Sequence, residues 1–144
     1  MRIAFVHSFY SSHQPSGENR VVEQQIAALR RVGHSVGLID QHTDERERRK
    51  MYPLQVALTV ATGRGPDPLR ELDDFQPDIV HVHNLFPNYG RTWVDRWKGP
   101  LVATMHNYRP LCAGATLYRN EHACTDCLER ARIGGSSRSI AWPI

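Results

Sequence analysis

Cysteine is scarce in this chain, with Cys112, Cys124 and Cys127 the only three. An odd number without an export signal argues against a disulfide framework and leaves reduced thiols or metal ligands. No run approaches the roughly 18–20 apolar residues that cross a bilayer. The apolar opening Ile3–Val6 is too brief for a signal peptide and lacks a cleavage site after it, so a cytoplasmic protein is expected, at most peripheral at a membrane surface. Charge of one sign is barely in excess, 18 Lys and Arg against 15 Asp and Glu, so the basic balance requires no nucleic acid partner. The dinucleotide fingerprint GxGxxG is absent, which excludes an ordinary NAD site. There is no internal repeat and no low-complexity segment.

What is present reads as one α/β domain, since 144 residues can bury about two thirds of their unfolded surface. Arg2–His7 (RIAFVH) is a strand, and a polar loop leads from Ser8 to Gly17. From Gly17 to Val32 the positions Val22, Ile26 and Leu29 fall on one helical stripe, and Gly33 is a natural stop. Ser35–Asp40 is the second strand, completing a β-loop-α-β unit. Met51–Ala61 reads as a helix after a charged run, Arg46–Lys50 (RERRK), that is either a solvated face or a site for acidic phospholipid headgroups. Pro68–Phe75 is a short helix, Asp78–His83 (DIVHVH) the next strand, and Asn88–Trp97 a short helix or turn.

The stretch Gly99–Cys112 (GPLVATMHNYRPLC) is the expected working centre. Leu101–Thr104 suits a buried strand of a parallel sheet, finished by Met105. His106, Asn107, Tyr108 and Arg109 then lie past the strand's C-terminal end, where open α/β sheets bind ligands. The first free N–H groups of the helix at Ser16, Gly17 and Glu18 attract anions such as phosphate, although one glycine at a helix start reads more simply as a plain turn. His81 and His83 stand two apart on one strand and share a face, with His81 expected to be buried and hydrogen-bonded and His83 to reach the crevice beside Asn84. Cys124 and Cys127 form a C-x2-C pair that suits zinc, with Cys112 as a third ligand and His122 or water as a fourth; buried or reduced thiols are the other reading.

Taken together, these pieces resemble the N-terminal domain of the GT4-type (group 1) glycosyltransferases, which have the GT-B architecture of two Rossmann-like domains facing across a cleft. MRIAFVHSFY is similar to the opening strand, and PSGENRVVEQQIAALRRVGHSVGLI to the glycine loop, first helix and second strand. DIVHVHN resembles the next strand, and VATMHNYRPLCAGATLYRNEHACTDC a branch whose HNYR loop is followed by cysteines. The resemblance implies a Rossmann-like three-layer α/β/α domain with a mainly parallel sheet. It implies a retaining transferase that moves a sugar from a nucleotide-sugar donor to a glycolipid, polysaccharide or other glycoconjugate acceptor.

Carried over by position, Ser16, Gly17 and Glu18 would line the cleft near the donor diphosphate, and His106 would approach the sugar or its acceptor as the catalytic residue. Asn107 and Arg109 would shape the same wall, with His83 and Asn84 beside them. The leaving diphosphate would help deprotonate the acceptor, so no cofactor is required, and a structural zinc on Cys112, Cys124 and Cys127 is the one metal in question. Ser16 stands where the family's loop commonly has a first glycine. The apolar ending at Ile144 reads as a chain cut short, with a C-terminal donor-binding domain absent and the fragment inactive alone. The alternative is a non-enzymatic Rossmann-like module that binds phosphate or protein, with or without a cysteine-bound zinc.

Overall fold

Seven consecutive buried residues, Ile3 to Ser8 and Phe9, define the strand around which the chain is built. The computed structural model of the protein describes residues 1–11, 16–108, 111–112 and 114–133. The chain divides into two compact units, Met1–Thr104 and Met105–Ile144.

In the first unit β1 (Arg2–Phe9) lies between β2 (Ser35–His42) and β3 (Ile79–Asn84), and β4 (Leu101–Ala103) pairs with the far side of β3, giving the order β2-β1-β3-β4 with every pairing parallel. A strand flanked on both edges and covered on both faces has no solvent side, which is why β1 is a continuous apolar run instead of an alternation. Its odd positions face α1 (Gly17–Arg31): Ile3, Phe5 and Phe9 form one cluster with Val22, Ile26 and Val36. The even positions face the other way, as Gly37 does on β2. A Cβ at Gly37 would lie 3.1 Å from the ring of Phe75, which ends α4 (Leu69–Phe75). Helices α1 and α4 therefore cover opposite faces of the sheet, the three-layer α/β/α arrangement.

Helix α1 ends as its sequence dictates. Gly33 takes a left-handed φ of 89°, and the amides of Gly33 and His34 return to the carbonyls of Arg30 and Leu29 at 3.1 Å each. Between β2 and α4 stand α2 (Thr43–Arg46) and α3 (Tyr52–Thr62), the latter with Pro53 in its first turn, where the missing N–H costs nothing. Helix α5 (Trp93–Arg96) buries Trp93 completely.

The expected buried strand at Leu101–Met105 needs correction. Strand β4 spans only Leu101–Ala103, and Val102 is 45% exposed. It is the edge of the sheet, paired with β3 alone among the described residues. An apolar run is ambiguous between a central and an edge strand, because periodicity does not reveal how many neighbours a strand has.

The second unit is of another kind. Strands β5 (Tyr118–Arg119) and β6 (His122–Ala123) pair antiparallel around the two-residue loop Asn120–Glu121, followed by α6 (Asp126–Ile133). Both loop residues have positive φ, 50° and 65°, as a type I′ hairpin turn demands. Neither the hairpin nor α6 was expected from the sequence.

Candidate functional site

Parallel strands deliver their C-terminal ends to one rim, and in the first unit that rim gathers polar side chains. His7 and Ser8 are fully buried where the apolar run of β1 gives out. His7 Nε2 donates to Asn19 Oδ1 at 3.0 Å, joining the end of β1 to the first turn of α1. An amide oxygen only accepts, so the proton of this bond sits on Nε2.

The start of α1 is capped by Ser16, whose extended backbone (φ −113°, ψ 129°) lets its Oγ accept from the Glu18 amide at 3.2 Å. Around Gly17 an added Cβ would meet nothing within 4 Å. The described residues thus make no demand for glycine there. Asn84, the last residue of β3, reaches α1 as well: its Nδ2 donates to Glu18 Oε2 at 3.4 Å, while its Oδ1 accepts from the Phe86 amide at 3.1 Å. Ser16, Gly17, Glu18 and Asn84 are brought together in this way.

His81 and His83 do share a face, with ring centroids 4.2 Å apart. Their burial is the reverse of expectation. His81 is half-buried, with its Nε2 2.8 Å from Thr104 Oγ1, whereas His83 is 4% exposed and stacks on Phe5 at 5.4 Å, edge-on to His7 at 6.2 Å. The register of β1 against β3 shifts between Val6 and His7, so that His7 pairs with Asn84.

A second polar cluster, missed by sequence reasoning, is built on Asn88, which is 1% exposed. Its Nδ2 donates to Ser8 Oγ at 2.9 Å and Thr43 Oγ1 at 3.1 Å, its Oδ1 accepts from the Tyr52 hydroxyl at 3.0 Å, and Thr43 Oγ1 donates to the Phe9 carbonyl at 3.0 Å. Burial raises the Tyr52 phenol above its ordinary range, so it remains the donor in this network. Nearby, His42 stacks on Phe9 at 4.7 Å and sets its Nε2 2.7 Å from Asp40 Oδ2. The usable signal was the polar pair His7–Ser8 interrupting an apolar strand; nothing local distinguished Asn88 from a loop asparagine.

In the second unit His106 and Asn107 are half-buried. Arg109, expected beside them, lies outside the described residues. Cys112, Cys124 and Cys127 are free thiols. The Leu117 backbone N–H, with those of Thr116, Gly114 and Ala115, holds the Cys112 thiol below its ordinary range. The Cys124 amide donates to the Leu117 carbonyl at 2.8 Å, and Cys127 lies in the first turn of α6. Among the described residues no three His, Cys, Asp or Glu side chains are gathered to hold a metal ion. Nor is any helix among them long and apolar enough to cross a membrane.

Compared with known proteins, the chain matches the family model described as Glycosyltransferase Family 4 over residues 15–133. No curated protein and no solved structure matches it. The match takes in α1, strands β2, β3 and β4 of the parallel sheet and the hairpin unit, and on that extent the chain belongs to Glycosyltransferase Family 4.

Proposed function

We propose that this chain is the acceptor-side domain of a retaining glycosyltransferase, which moves a sugar from a nucleotide-sugar donor to a glycolipid, polysaccharide or other glycoconjugate on the cytoplasmic side. The observation that carries the reading is the family match over residues 15–133, which spans both the α1 start and the His106 loop. Gly17 supports it. With no described atom within 4 Å of where its Cβ would stand, it lets an anion, here the donor diphosphate, come close to a helix start at which Ser16 already caps the Glu18 amide. Glu18 and Asn84, tied to each other, hold that loop in place.

On this reading His106 donates a hydrogen bond to a sugar hydroxyl, and its imidazole responds as positive charge grows in an oxocarbenium-like transition state. Asn107 and Arg109 take part in binding the same sugar. The departing diphosphate takes the acceptor's proton, so the pair of carboxylates used in glycoside hydrolysis is not needed. A donor-binding domain supplies the remaining nucleotide contacts.

The test is the release of nucleoside diphosphate from a panel of UDP-, GDP- and ADP-sugars by an enzyme that joins this domain to its donor-binding half. His106→Ala is expected to lower turnover by more than about tenfold with an unchanged unfolding midpoint. Wild-type turnover in that variant removes His106 from the mechanism, and robust transfer by the isolated chain refutes the division of labour.

A further inference from the structure

Helix α3 (YPLQVALTVAT) contains no charged residue, and it is turned inside out. A helix lying on a domain normally directs its apolar stripe inward. Here the side facing the domain carries one apolar residue, the half-buried Val56, between Thr59, 8% exposed, and Tyr52, whose hydroxyl is bound to the buried Asn88. Outward stand Leu54, Leu58 and Val60, at 52%, 56% and 56% exposure, continued by Met51 at 64%. At about 100° per residue Met51, Leu54, Leu58 and Ala61 make one stripe.

This orientation is fixed from both ends. Tyr52 holds the first turn, and at the other end Gly63 takes a left-handed φ of 70°, donates to the Thr59 carbonyl at 2.8 Å and accepts from the amides of Arg91 (2.7 Å) and Thr92 (3.2 Å). The apolar stripe is thus a built surface. Directly before it runs Arg46-Glu47-Arg48-Arg49-Lys50, four cations against one anion, with Arg48, Arg49 and Lys50 exposed.

We propose that the outward face of α3 and the Arg46–Lys50 run together form a docking surface for an anionic lipid bilayer. The two halves of the surface call for the two halves of such a partner. Acyl chains at the headgroup boundary receive Met51, Leu54 and Leu58, while anionic headgroups receive Arg48, Arg49 and Lys50. Eleven residues of helix reach only about 16 Å, too short to span, so α3 lies in the plane of the interface. A nucleic acid would satisfy the cations and leave the apolar stripe uncovered; a second copy of the chain would cover the stripe and bring more cations. The surface does not depend on sugar transfer, because binding is read without donor or acceptor. If both readings hold, it delivers the domain to a lipid-borne acceptor.

The test is co-sedimentation of the full chain with vesicles of phosphatidylcholine alone and of phosphatidylcholine with about one third phosphatidylglycerol, at about 0.1 M salt. Binding to the mixed vesicles only is expected, weakened about tenfold or more both in Leu54→Asp/Leu58→Asp and in Arg48→Glu/Arg49→Glu/Lys50→Glu. All five positions are exposed, so circular dichroism should be unchanged. If the Asp pair fails to fold, Leu54→Ser/Leu58→Ser and a salt series replace it. No binding to mixed vesicles, equal binding to neutral ones, or binding indifferent to both sets overturns the proposal. So does a wild-type dimer that the leucine variants convert to monomer by sedimentation velocity, which would make a second copy the occupant.

Discussion

The two units of this chain are stabilised in different ways. Met1–Thr104 is organised by burial, with Ala4, Phe5, Val6, Val22, Leu72, Val80 and Trp93 wholly removed from solvent around a parallel sheet. In Met105–Ile144 none of the described side chains is buried. Its order comes from the backbone: a two-residue hairpin, the amides around Cys112, and four non-glycine residues at positive φ, namely Ala115, Leu117, Asn120 and Glu121. Apolar burial is non-directional and tolerates sequence change that preserves volume, whereas turn chemistry is local and specific. The first unit should therefore respond to lost volume, the second to changes in particular backbone contacts and pH.

The largest effect should come from the centre of β1. Phe5 is fully buried between α1 and the His81 and His83 rings, and Phe5→Ala is expected to cost about 3–5 kcal/mol, read as a lowered urea midpoint at unchanged slope. A loss below about 1 kcal/mol would mean that burial is not what organises this unit. A smaller effect is expected at Asn88. Replacing it by Ala removes the partner of Ser8, Thr43 and Tyr52 and leaves their hydroxyls to find others, at about 1–3 kcal/mol by the same measurement. An unchanged midpoint would show that water replaces the amide without loss, and that the network beneath α3 does not fix the helix.

How much was legible follows the same division. Val22, Ile26 and Leu29 repeat at helical spacing and Gly33 stops them, so α1 could be read within a residue of its ends. The parallel order followed from apolar runs alternating with a helix. The strands β1 and β2 run two residues beyond the expected ends, because Ser8-Phe9 and Gln41-His42 look like loop while their backbones still pair. The position of β4 at the sheet edge is a tertiary fact, invisible in its own three residues. The hairpin was missed for a local reason: its turn is Asn-Glu, and without the glycine that usually takes the second positive φ the signal is halved. At the rim, Ser16, Gly17 and Glu18 could be found from their place before a helix, whereas Asn88 lies 80 residues from the Ser8 it binds.

The smallest free-energy effect, and the one that most sharply separates the two units, concerns Cys112. Its thiol is drawn below the ordinary range chiefly by the Leu117 amide, helped by those of Thr116, Gly114 and Ala115, an arrangement that exists only while the 114–117 turn is formed. Because the folded value is the depressed one, the turn gains stability above the unfolded thiol's range and loses it as pH falls through the folded one. The thiolate is the reactive species, so alkylation of Cys112 by iodoacetamide, followed by mass spectrometry, should reach half its maximal rate at a lower pH in native chain than in urea. Equal midpoints in the two states would show that the backbone amides do not favour the thiolate. A downward shift that persists in urea would make it a property of the local sequence, and the second unit would then owe less to its turn geometry than the comparison with the buried sheet requires.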